Sequence, residues 1–259
     1  MKTLTHPLTL EAEQFRYLFE NLGPSLAVWR AAEIAALREQ EYPPPVLDLG
    51  CGDGLIMSRV LPRVEIGLDP DRAAIERAKM LGIYERFEAA TIEQARLPDG
   101  VLGCVVSNST LEHIEHIDDA LEAIARALRP GGKLIFTAPT EAFSRWMALP
   151  LPGYVRWRNR HFIHQNLWPV EEWDRRLKRV GLEIECVRPY MRKSWVYAWD
   201  WLDLAQMMRV RKFRFVGQVW RRLPPQVMHN LSCRAATWNL SAPPPGGGQL
   251  IAARKTSYT

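Results

Sequence analysis

Val46-Leu47-Asp48-Leu49-Gly50-Cys51-Gly52-Asp53-Gly54 is the stretch that decides the fold. A short apolar run carrying one acid enters three glycines at alternate positions, and helical spacing is expected over Leu55–Leu61. Such a turn bends sharply and lets a ligand approach a backbone that carries no Cβ. The helix expected next would aim its free N–H groups at that ligand. The spacing is GxGxG, whereas the dinucleotide fingerprint is GxGxxG. An acid two residues before the first glycine would also repel a pyrophosphate, so a cationic ligand without phosphates fits better. Asp69, ending Ile66-Gly67-Leu68-Asp69 fifteen residues after Gly54, can accept both hydroxyls of an adenosine ribose.

Outward from this turn, strand and helix alternate. Strands are expected at Val64–Asp69, Arg86–Ala90, Val101–Ser107 and Lys133–Ala138, with helices at Asp71–Leu81 and Asp118–Leu128. Pro169–Val180 reads as a helix before a strand at Leu182–Val187, and Leu250–Ala253 as a last strand. This is an α/β chain built on a doubly wound, mostly parallel sheet. Its expected parts are an N-terminal helical cap over 1–42, a core over 43–140 and an insertion over 141–168. A core helix and strand over 169–189, a basic Trp-rich insertion over 190–248 and a last strand with tail over 249–259 complete it.

Hydrophobic residues make up 47% and charged residues 24% of 259, which excludes global disorder and a disulfide miniprotein. No run of about 18 apolar residues marks a membrane span, and the first residues lack the apolar stretch of a signal peptide. Cys51, Cys104, Cys186 and Cys233 are scattered without CxxC pairs, the usage of a cytoplasmic protein with reduced thiols. The net charge of +5 is uneven, because residues 189–259 hold eleven Lys/Arg against Asp200 and Asp203.

The nine-residue turn, Asp69, Leu97-Pro98-Asp99-Gly100, Leu111-Glu112-His113-Ile114 and Leu128-Arg129-Pro130-Gly131-Gly132-Lys133-Leu134 occur in an order that resembles the Rossmann-fold S-adenosylmethionine-dependent methyltransferases. The resemblance covers about residues 40–140. It implies seven strands with the last antiparallel, S-adenosyl-L-methionine as cofactor and S-adenosyl-L-homocysteine as product. It implies that Gly50, Cys51, Gly52, Asp53 and Gly54 pack around the methionine part, with Asp48 near its ammonium. Asp69 and Pro70 would meet the ribose. The acid usual in the loop after the third strand is missing at Ala90, which leaves Thr91 for the adenine amine and Ile92 for its face. Ser107, Asn108 and Leu111 would line the carboxylate and sulfonium end.

Four residues are candidate general bases: His113 on the rim, His161 and His164 in the first insertion, and Tyr17 on the cap. Structural roles stand beside each, since in-line positioning supplies much of the rate of methyl transfer. No metal is expected, because no acidic cluster has ligand spacing. The acceptor is expected to be a small apolar or aromatic molecule methylated at O, N or C. An isoprenoid or lipid-linked acceptor at an anionic membrane, reached through residues 195–222, is the alternative, and a binding-only protein a second. In Trp195–Met208 the polar residues 200, 203 and 206 form one narrow helical stripe, read as a lid helix or as an interfacial segment. Nucleic acid is not expected, since Ser107-Asn108-Ser109-Thr110 replaces the block that would point to base amino groups.

Overall fold

The computed structural model describes residues 1–149, 151–210 and 213–256. The strands are β1 (Lys2–Thr3), β2 (Val46–Leu49), β3 (Val64–Leu68), β4 (Tyr84–Glu88), β5 (Leu102–Asn108), β6 (Leu128–Pro139), β7 (Leu182–Tyr190), β8 (Arg209–Val210), β9 (Phe213–Arg214) and β10 (Gly248–Lys255). The main sheet has eight strands in the order β1-β7-β10-β6-β5-β2-β3-β4, while β8 and β9 pair only with each other. Within the main sheet β10 alone runs antiparallel, wedged between β6 and β7. Seven strands were expected; the eighth, β1, is two residues paired with Cys186 and Val187 and too short to leave a periodic signal.

The helices are α1 (Ala12–Leu22), α2 (Pro24–Arg38), α3 (Arg72–Lys79), α4 (Ile117–Ala127), α5 (Glu141–Arg145), α6 (Pro152–Phe162), α7 (Val170–Arg179), α8 (Lys193–Met207), α9 (Phe215–Arg221) and α10 (Pro225–Ala235). Alternation along β5 divides the core. Cys104 and Val106 face a cluster with α1, α2, α8 and α10, whereas Val105 faces α4 and α7. Both faces are covered, which is why the central strands are largely apolar, with Asp48 the one acid within β2.

The helix expected over Leu55–Leu61 is only a 3-10 turn at Met57–Arg59. Gly54 and Pro62 leave too few residues for a helix nucleus to propagate. The dipole expected behind the glycine loop is therefore slight. The strand expected from Lys133 starts earlier, at Leu128, and carries Pro130-Gly131-Gly132 within it through a register shift against β5. The basic residues Arg211 and Lys212 of the second insertion lie outside the described residues.

Candidate active site

Strand order reverses beside β2, and the loops after β2, β3, β4 and β5 open there on one side of the sheet. Gly50, Gly52 and Gly54 all have positive φ, at 73°, 54° and 74°. Gly50 and Cys51 donate to the Leu68 carbonyl at 2.8 and 3.1 Å, holding the loop against β3. A Cβ on Gly50 would lie 2.2 Å from Thr110 Oγ1, whereas one on Gly52 would meet nothing within 4 Å. Asp69 accepts from the amides of Gly52 and Asp71, each at 2.8 Å, so its carboxylate is fixed while further lone pairs stay free. Asp48 is buried and accepts from Tyr84 OH at 2.6 Å. Burial pushes its carboxyl up to about 7 against that hydrogen bond.

Three contiguous cavities meet at these loops. One of about 370 Å³ is lined by Asp48, Gly50, Gly52, Asp69, Asn108 and Arg30 among others. A second, of about 570 Å³, continues past Pro70 to Ala90, Thr91 and Ile92. The third, of about 300 Å³, lies toward the insertions behind Trp29, Phe143, Phe162, Trp199 and His164. His113 lines all three, and Arg30 and Ser109 stand where the first opens into the third.

The junction is built from α2 and the loop after β5. Glu33 is fully buried and accepts from Trp29 Nε1 at 2.8 Å, Arg30 Nη1 at 2.5 Å and Ser109 Oγ at 2.5 Å. Ser109 takes a left-handed φ of 49° to reach it. The first insertion is fastened to the same loop: the amides of Gln165 and Asn166 donate to the Glu112 carbonyl at 2.8 and 3.1 Å. The Asn166 side chain donates to the carbonyls of Leu111 and Ile114. Ile163 ends α6 in the left-handed region, and its carbonyl meets His113 Nδ1 at 3.1 Å. His164 thereby stacks on His113 with ring centroids 5.4 Å apart.

A family model described as a methyltransferase domain matches residues 24–187. The chain belongs to the methyltransferase domain family. This bears out the resemblance carried by the sequence blocks. An uncharacterized methyltransferase of Mycobacterium tuberculosis is 35% identical over 108 residues, 39% of this chain and 55% of that protein. A ubiquinone biosynthesis O-methyltransferase of Rhizobium rhizogenes is 29% identical over 150 residues, 54% of this chain and 60% of the relative. The chain thus spans a little over half the length of these curated relatives. An S-adenosylmethionine-dependent methyltransferase of Thermotoga maritima superposes with a TM-score of 0.60 at 16% identity, covering 93% of this chain and 100% of the other, a likeness of fold.

In this member of the family most residues expected at the cofactor site line the first two cavities: Asp48, Gly50, Cys51, Gly52, Asp53, Asp69, Pro70, Ala90, Thr91, Ile92 and Asn108. Gly54 serves packing instead, for a Cβ there would come 2.9 Å from Tyr84. Ser107 and Leu111 are corrections. Ser107 is buried and donates to the Leu49 carbonyl, tying β5 to β2, and Leu111 belongs to the core. Burial beside Asp48 and Asp69 raises the Cys51 thiol far above its ordinary range, so it stays protonated. Tyr17 is also set aside, since its ring packs under the Arg59 guanidinium at 4.1 Å and lines none of the three cavities. His113, His161 and His164 all line the third cavity. Sequence reading missed Arg30, Glu33 and Glu112. The available signal was a charged pair three residues apart inside an Ala-rich apolar helix, together with the acid of the Leu-Glu-His block.

Proposed function

We propose that this chain binds S-adenosyl-L-methionine in the two cavities lined by the glycine loop and Thr91, and methylates a small apolar or aromatic acceptor held in the third. The observation that carries this reading is the continuity of the three cavities at His113, Arg30 and Ser109. The open space over Gly52 and the Asp69 carboxylate suit an adenosine ribose joined to an amino acid. The bound cofactor supplies an electrophilic methyl group on a sulfonium. Asp48 would face its ammonium, Thr91 and Ile92 its adenine. Trp29, Phe143, Phe162 and Trp199 exclude water around the acceptor, and positioning of that acceptor supplies much of the rate. Purified protein given methyl-labelled cofactor and a fractionated extract is expected to label the organic phase. Label in RNA or protein would overturn the acceptor class, and cofactor binding without label in any fraction would favour a binding-only protein.

A second reading, a peripheral membrane enzyme with a lipid-linked acceptor, is favoured by the orientation of α8. Its polar stripe faces inward, because Asp200 and Asp203 pair with buried Arg158 and Gln206 accepts from the Ser25 amide. Tyr197, Trp201 and Leu202 are left exposed, as are Trp157 on α6 and nearby Leu151. Aromatic and aliphatic groups presented outward within a basic segment are the composition of an interfacial surface.

A further inference from the structure

The third cavity brings together three side chains of a kind that hold cations. Glu112, His113 and His164 each offer a donor atom, and these atoms lie within 4.8 Å of one another. Their existing partners do not account for them. Glu112 is buried with Oε2 unpartnered, and His164 Nδ1 is also buried without a partner. Glu112 Oε1 stands 3.8 Å from His113 Nε2, beyond hydrogen-bond reach. Bonds of about 2.0–2.2 Å from one ion to each donor bridge a gap of that size.

We propose that Glu112, His113 and His164 form a binding site for a first-row divalent cation. Two imidazoles and one carboxylate suit zinc, cobalt, iron or manganese better than magnesium or calcium. His113 already has the outer contact that such ligands use: Nδ1 donates to the Ile163 carbonyl, which leaves the Nε2 lone pair free to bind. His113 is exposed enough to give an ion a way in. The Arg30 guanidinium, which lines the same cavity, is paired with Glu33. Resting on the methyl-transfer reading, the site further specifies the acceptor as a molecule with an oxygen donor, which the cation would grip where the cofactor and acceptor cavities meet.

The test is titration of chelator-stripped full-length protein with Co²⁺, followed by its visible absorption, with Zn²⁺ in competition. One equivalent is expected to bind, and Glu112→Gln or His164→Ala each to weaken binding by ~100-fold, as loss of a ligand costs at least what an outer-shell partner does. Circular dichroism shows which variants are folded; if Glu112→Gln is not, His164→Ala decides. His229 and Cys233 lie 3.6 Å apart on α10 and form a surface alternative, so the double variant His229→Ala with Cys233→Ser is expected to bind as the parent does. Absence of one-equivalent binding, retention of it in folded His164→Ala, or its loss only in the α10 variant overturns the proposal. The cofactor is titrated into the same samples: cofactor binding without the cation overturns this inference alone, and the cation without cofactor overturns the methyl-transfer reading alone.

Discussion

One methyl group separates two glycines that look alike in the sequence. Gly50→Ala would drive a Cβ into Thr110 at a positive φ, and is expected to cost about 2 kcal/mol, a fall in Tm of roughly 4–8 °C by thermal unfolding. Gly52→Ala has room and is expected to cost only about 1 kcal/mol, yet to weaken cofactor binding more than ~10-fold by calorimetry. Equal stability losses would show that the loop is not shaped as described. Asp69→Ala removes a fixed charged acceptor and is expected to weaken cofactor binding by more than ~10-fold in the same titration. Asp48 carries a pH signature. Its carboxyl titrates near 7 in the fold against 3.8 ordinarily, so between about pH 4 and 7 the folded chain keeps a proton that the unfolded chain releases. Stability without cofactor should fall as pH rises through that window, and Tm against pH should be flatter in Asp48→Asn. The glycines and Asp69 were legible because their chemistry is local to strand ends. The meeting of Glu112 with His164 was not, because it depends on a left-handed Ile163 and on amides of an insertion fifty residues away.

Among the elements, those covered on both faces were the readable ones. β5 and the Leu134–Phe136 stretch of β6 are apolar because helices lie above and below them, and the ends of α4 and α7 were legible to within one or two residues. α8 leaves two readings open to a reader of sequence alone. A lone polar stripe on an apolar helix is read as a lid helix or as an interfacial segment, and the structure shows that Arg158, fully buried on α6, draws Asp200 and Asp203 inward. Asp200 also accepts from Tyr154 OH at 2.6 Å and the Ala148 amide at 2.9 Å. Arg158→Met would strand two carboxylates in a low-dielectric setting and is expected to cost ~3–5 kcal/mol. The loss should be seen as faster proteolysis around α6 and α8, with cofactor affinity unchanged because Arg158 lines neither cofactor cavity. A matching loss of cofactor affinity would mean that the insertions and the cofactor site are one cooperative unit.

At the scale of the whole molecule, the exposed aromatic face of α6 and α8 can be tested by sedimentation with vesicles. Binding to anionic vesicles should exceed binding to neutral ones, and Trp201→Glu should reduce it by about tenfold, the worth of burying one large side chain. Among the described residues no helix is long and apolar enough to cross a membrane. The wedge of β10 between β6 and β7 bears on how the chain is made. During synthesis β6 leaves the ribosome roughly a hundred residues ahead of the strand that will cover its edge. At roughly 5–20 residues per second that interval is on the order of 5–20 s. Throughout it Leu134, Ile135 and Phe136 stand on an open, apolar strand edge, the kind that recruits other chains. Newborn molecules should therefore lean on chaperones until residues 248–255 arrive, and ribosome-arrested chains ending before residue 248 should aggregate where those ending beyond 255, with the exit tunnel cleared, do not.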